Sequence, residues 1–206
     1  MNEYSFIFAP AMRIKDENKE KAIREKAMEM IVQEGFDGLS MQKLAQAAGV
    51  SPATIYIYFK NRADLLNQLF NEVEETFTKV TLADFSPEMS FKEGLWLQWK
   101  NRLKFIIDYP THYRFHEQFR NSPLINHSDI KITPFKENMK AFVHNAVKRG
   151  EMQKVDPEIY WSIAFGTFYS LVRFHLHEKS MMNNDFKLTD HKMRLAFEMM
   201  LKAFKI

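Results

Sequence analysis

The stretch Ser40–Leu66, SMQKLAQAAGVSPATIYIYFKNRADLL, constrains the fold more than any other part of this 206-residue chain. Ser40 is placed to cap a helix, its hydroxyl accepting from an orphan backbone N–H two or three residues on. Leu44, Ala45 and Ala48 then recur at helical spacing and predict a two-turn helix over Met41–Ala48. Gly49 follows where a helix ends in a left-handed residue, a conformation glycine adopts without steric cost. Val50 packs inward, Ser51 caps again, and Pro52 takes the first helical position, where a missing N–H is harmless. The second short helix is expected over Pro52–Phe59, with Ile55 and Phe59 buried and Ala53, Thr54, Tyr56, Ile57 and Tyr58 nearer the surface. Two short helices across a tight glycine turn make a helix-turn-helix.

Residue type says what the second helix can touch. Ala53 is small enough to let the backbone approach a groove floor or a thymine methyl. Thr54, Tyr56, Tyr58, Lys60 and Arg62 offer hydroxyls and cations to phosphate oxygens, contacts that position a protein without reading sequence. Ser51 and Pro52 lie at the helix N-terminus, the end that meets base edges. Gln42 carries an amide able to pair bidentately with adenine. Ser40, Lys43 and Ile57 complete the candidate DNA-facing set.

The same stretch resembles the signature of the tetracycline-repressor (TetR) family of bacterial transcription regulators, roughly A-x-x-A-G-V-S-x-[GA]-[TS]-[LI]-Y-x-[YH]-F-x-x-[KR]-x-x-L. Ala45, Ala48, Gly49, Val50, Ser51, Ala53, Thr54, Ile55, Tyr56, Tyr58, Phe59, Arg62 and Leu65 fit it without a gap. The resemblance is strong over residues 18–75; beyond them only size and an all-helical pattern match. It implies Arg62 as a phosphate clamp and Gln42 as a base reader. The family often has lysine or arginine near Pro52 or Ile57, so the apolar residues here shift the expected readout towards methyl groups and DNA shape.

A net charge of +3 is too small to argue for nucleic acid. Its distribution argues better: residues 1–80 hold ten Lys/Arg against twelve Asp/Glu, yet Gly38–Arg62 contains no acid and three bases, Lys43, Lys60 and Arg62. A phosphate-facing surface requires such an acid-free window. The chain has no cysteine, which removes disulfides, thiol catalysis and thiolate metal sites and agrees with a cytoplasmic location. No run of about 18 apolar residues is present to span a membrane. Residues 1–17 are expected to form a flexible extension rather than a signal peptide, with Met12 an alternative start. Arg13 and Lys15 read either as a minor-groove arm or as a solvated tail.

The rest of the chain reads as helices. Asn18–Glu34 carries the stripe Ile23, Ala27, Met30 and Ile31, and Gly35 stops it. Asp64–Val80 continues with Leu65, Leu66, Leu69, Phe70, Val73 and Phe77; in the family it resembles, this helix joins the reader to the effector domain. The break at Ala83–Pro87 divides a reader, residues 18–83, from a helical effector and dimerisation domain, residues 84–206. Helices are expected there over Phe91–Ile107, Thr111–Asn121 (stopped by Ser122-Pro123), Phe135–Arg149, from Pro157 to about Glu178, and from Thr189 or Asp190 to the C-terminus.

The fold class is therefore all-α: a three-helix helix-turn-helix domain followed by a larger helical domain. TetR-like proteins pair their last two helices with a partner's, which implies a homodimer through Gly166, Ser170, Met193, Phe197, Met200 and Phe204. Two-fold pairing also suits a palindromic DNA site. Trp96, Trp99, Phe115, His116, Phe119, Phe165, Phe168 and Tyr169 are the candidate walls of an apolar pocket. His112 and His116 stand four apart, and His175 and His177 lie close together, but the His-Glu-x-x-His zinc pattern is absent. No catalytic residue, metal ligand or cofactor is assigned. The function expected is a homodimeric, sequence-specific DNA-binding regulator, a repressor released by a small hydrophobic effector. The alternative is a helical DNA-binding organiser or protein-interaction module with no effector.

Overall fold

The structure is a computed structural model that describes residues 16–120, 122, 134–178, 181–182 and 184–204; residues 1–15 of the expected extension, with Met12, Arg13 and Lys15, and Pro123, lie outside them, while Asp16 and Glu17 belong to the start of the first helix. The described residues form helices α1 (Glu17–Gly38), α2 (Met41–Ala47), α3 (Pro52–Tyr58), α4 (Arg62–Thr81), α5 (Phe91–Asp108), α6 (Pro110–Arg120), α7 (Pro134–Lys148), α8 (Pro157–Leu176) and α9 (Asp190–Leu201), and a 3-10 turn, Lys202–Phe204. They divide into two compact units between Leu69 and Phe70, inside α4 and upstream of the break at Ala83–Pro87.

Local chemistry sets most boundaries. Asp16 accepts the Asn18 and Lys19 N–H groups at the start of α1. Ser40, Ser51, Ser90 and Thr189 each accept an N–H three residues on. These bonds satisfy donors that a helix start otherwise leaves unpaired. Gly35, at φ +75°, breaks the helical path of α1 where the sequence predicts its stop. Gly49, at φ +67°, makes the turn after α2, and the next N–H, from Val50, closes back on Ala45 O at 2.9 Å.

In the N-terminal unit Ile23, Ala27, Ile31, Leu44, Ile55, Phe59, Leu65 and Leu69 are fully buried and form the core. Arg24 ties α1 to α4 over this core: its Nη2 donates to Glu20 Oε1 at 2.7 Å and Gln68 Oε1 at 2.6 Å, and its guanidinium lies 5.1 Å from the Phe59 ring centre.

The C-terminal unit is packed with rings. α5 runs through it, with Leu95, Trp99 and Phe105 buried. Gln98 and Asn101 donate to Thr81 O at 2.7 and 3.1 Å, occupying a carbonyl at the end of α4. Gly94 lets α7 approach α5, because a β-carbon there would collide with the buried Phe142 ring. His116 and Glu74 form a buried pair, Nε2 to Oε1 at 2.6 Å, with the imidazole stacked on Phe77.

α8 and α9 pack on each other, and this corrects part of the expected dimer surface. Met193, Phe197, Met200 and Phe204 are buried inside their own chain, where Phe197 meets Trp96 and Trp99 and Phe204 meets Phe91 and Tyr160. A side chain already covered has no area left for a partner. The opposite face carries the exposed apolar residues Leu195 and Met199, 55% and 62% accessible. On α8, Ile159, Ile163, Gly166 and Ser170 make a helical stripe that includes both small residues expected there, and Gly166 and Ile159 are exposed.

Candidate functional site

α2 and α3 present one exposed polar surface. Ser40, Gln42, Lys43, Ser51, Pro52, Ala53 and Lys60 are exposed, Thr54 and Ile57 half-buried, and Tyr56 is 55% accessible. The Ser51 hydroxyl accepts Thr54 N–H at 3.2 Å and meets Thr54 Oγ1 at 2.9 Å, so two hydroxyls share the N-terminal turn of α3. Two carboxylates border the acid-free window in space. Glu34 approaches Lys43 at 3.9 Å, and Asp64 accepts the Lys60 backbone N–H at 2.7 Å. Burial pushes the Asp64 carboxyl up, but the Lys60 N–H, the Gln68 amide and nearby cations outweigh it and hold the group below its ordinary value.

Two members of the expected DNA-facing set are structural. Tyr58 is only 8% accessible. Its hydroxyl donates to Asp16 O and accepts Asp16 N–H, both at 3.1 Å, so it anchors the start of α1. Arg62 is half-buried; Nε donates to Leu39 O at 3.1 Å and Nη2 to Phe36 O. Those two carbonyls at the end of α1 occupy the fork assigned to a phosphate.

Among the eight expected pocket residues, Trp99, Phe168 and Tyr169 form a run of ring contacts that reaches Arg102, over which Phe165 also lies. Trp99 and Phe168 pack together, ring centres 5.4 Å apart, and Trp99 Nε1 donates to Ala164 O at 2.8 Å. His116 and Phe119 pack on Phe70, and Phe115 packs on Phe119. Trp96 lies against Phe197, with the Arg194 guanidinium 4.0 Å from its ring centre. Only Phe165 and Tyr169 meet a common polar group, Arg102. One open cleft of about 230 Å³, beside Glu74, Glu75, Thr78, Lys79 and Pro134, includes none of the eight.

Arg102 is wholly buried. Its guanidinium carbon lies 4.1 to 5.9 Å from the ring centres of Phe165, Trp161, Phe135, Phe77 and Tyr169. Nη1 donates to the Tyr169 hydroxyl at 2.7 Å, while Nε and Nη2 are buried with no acceptor. The neighbouring Tyr160 hydroxyl is also buried and unpaired. Burial lowers the Arg102 pKa against the opposing pull of both tyrosines, yet a guanidinium stays charged. A buried unpaired ion costs on the order of several kcal/mol, which cation–π contacts offset only in part.

His112 sits beside Tyr109, its pKa lowered by burial, and His175 Nδ1 accepts the Leu188 N–H at 3.4 Å. Among the described residues no three His, Asp or Glu side chains gather as a metal site would require.

The family model for bacterial regulatory proteins of the tetR family matches residues 23–69, the span that holds α2, α3 and their supporting core. An uncharacterised HTH-type transcriptional regulator of Haemophilus influenzae is 32% identical, over 69% of this chain and 75% of that relative. The chain belongs to the tetR family. A TetR family transcription regulator from Marinobacter aquaeolei extends the likeness to the whole fold: TM-score 0.72 and 28% identity, covering 92% of this chain and 96% of the other. FadR from Bacillus subtilis, in complex with stearoyl-CoA, shares the fold at TM-score 0.60 and 20% identity, over 90% and 99% of the two chains.

This TetR-family chain is thus a helix-turn-helix transcription regulator, and no helix among its described residues is long and apolar enough to cross a membrane. Its sequence held one unread signal. Leu95, Trp99, Arg102 and Ile106 fall on one helical stripe of α5, so a cation stands among residues that all turn inward.

Proposed function

We propose that the protein is a homodimeric repressor that binds a palindromic operator and leaves it when a small apolar effector binds the C-terminal unit. The carrying observation is the surface made by exposed Ser40, Gln42, Lys43, Ser51, Pro52, Ala53, Tyr56 and Lys60 with half-buried Thr54 and Ile57, which supplies small, hydroxyl, amide and cationic groups to a duplex. α3 enters the major groove, with half-sites about one helical turn or somewhat more apart. The partner is held by the exposed face of α8 and α9 around Ile159, Gly166, Leu195 and Met199. Release requires the effector to prefer the conformation whose reading helices no longer fit that spacing. The fold shared with FadR holding stearoyl-CoA supports a small-molecule effector. Such a regulator works in the cytoplasm.

The test is selection of bound fragments from the source genome, followed by footprinting and native mass spectrometry of the complex. A palindromic footprint holding two chains is expected. A single chain on an asymmetric site, or no selected sequence, overturns the reading. Unchanged occupancy across extracts of the source cells favours the effector-free organiser.

A further inference from the structure

We propose that Arg102 is the recognition residue for an organic carboxylate, the apolar body of which lies among Phe77, Phe135, Trp161 and Phe165. The guanidinium offers two edges. Tyr169 takes one through Nη1, and the other, formed by Nε and Nη2, is buried with both donors unmet. That edge is a ready two-pronged fork for a planar carboxylate. No carboxylate of the chain is paired with it among the described residues, and the nearby charge it feels is another cation, Arg120. Rings answer the charge through their faces but cannot accept the in-plane N–H groups. The Tyr160 hydroxyl is also buried and unpaired, and it feels the Arg102 charge. A carboxylate on that edge satisfies both guanidinium donors and neutralises the ion. The surrounding rings reject a strongly hydrated inorganic anion and favour an aromatic or alkyl body. Such a ligand is the effector of the release step proposed above, and its assignment as effector rests on that reading.

The test uses the full chain with 2-naphthoate and octanoate, each against its neutral primary amide, and sodium phosphate as a bare anion. Thermal melting and tryptophan fluorescence are read, since Trp161 lies 5.0 Å from the guanidinium. At least one acid is expected to raise the melting temperature and quench fluorescence while its amide and phosphate do neither. Arg102→Met is expected to melt no lower than the parent without ligand and to bind the acid about 100-fold more weakly. Arg102→Lys, which keeps the charge and loses the fork, should fold and bind about tenfold more weakly. Equal shifts by acid and amide, a phosphate shift as large as the acid's, or no shift by either acid overturns the assignment. Operator release is measured separately. Stabilisation by an acid with DNA still held leaves the carboxylate site standing and removes the release reading. No stabilisation with DNA still bound does the reverse.

Discussion

Tyr58 and Asp16, 42 residues apart, exchange two hydrogen bonds through one hydroxyl: Tyr58 Oη donates to the Asp16 carbonyl and accepts the Asp16 N–H, each at 3.1 Å. The bond pair ties the end of α3 to the entry of α1. Tyr58→Phe is therefore expected to lower the stability of the N-terminal unit by about 1 to 3 kcal/mol in chemical denaturation, since two intramolecular hydrogen bonds of about 0.5–1.5 kcal/mol each are lost. DNA affinity measured well below the melting range should be nearly unchanged. A large affinity loss without a stability loss would restore Tyr58 to the phosphate-contacting set.

Arg62 and Lys60 separate in the same way. Arg62→Ala strips a donor from Leu39 O and Phe36 O and is expected to cost about 1 to 3 kcal/mol of stability. Lys60→Ala removes an exposed cation and should leave stability unchanged while reducing the salt slope of DNA binding by about one unit. Titrations at several salt concentrations decide it. The reverse pattern would make Arg62 the clamp.

The proposed partner contact and the core contact separate on α9. Leu195→Glu with Met199→Glu should convert a dimer to a folded monomer in analytical ultracentrifugation, since both side chains are exposed in the single chain. Phe197→Ala should instead destabilise the subunit by about 3 to 5 kcal/mol, because the ring is fully buried. A dimer that survives the double charge substitution places the interface elsewhere.

Acid should weaken the fold. Burial raises the Asp64 carboxyl, but the hydrogen bonds and cations around it prevail and hold it below its ordinary 3.8. Arg149 holds Glu151 below its ordinary 4.5, helped by the Phe91 N–H at 2.5 Å. A depressed native pKa means the unfolded chain binds more protons in that window, so stability rises with pH there. It is fully present above the unfolded values and lost as pH falls through the native ones. The melting temperature should therefore drop between about pH 5 and pH 3, and Asp64→Asn should flatten the N-terminal unit's part of that slope. A flat profile in the parent protein would show that neither carboxylate is held this way.

Gly94→Ala should destabilise the C-terminal unit by about 1 to 3 kcal/mol, because the added methyl meets a fully buried Phe142 ring packed against Phe85 and Phe91. Calorimetry that shows no loss would mean α5 and α7 sit further apart.

What the sequence by itself determined is local. Ser40, Ser51 and Thr189 cap their helices, and Gly35 and Gly49 turn the chain, because each acts on backbone within about three residues; the Asp16 cap fell inside the stretch expected to be a flexible extension. The family signature followed from the same stretch. Distant partners were decided only by the tertiary structure: Asp16 for Tyr58, Leu39 and Phe36 for Arg62, Tyr169 for Arg102. Helical spacing marks an apolar face on α9 but carries no label for what covers it. The stripe Met193, Phe197, Met200 and Phe204 closed on its own chain, and Leu195 and Met199 were left outside. Periodicity fixes direction around one helix axis; which surface lies opposite depends on how every other helix packs.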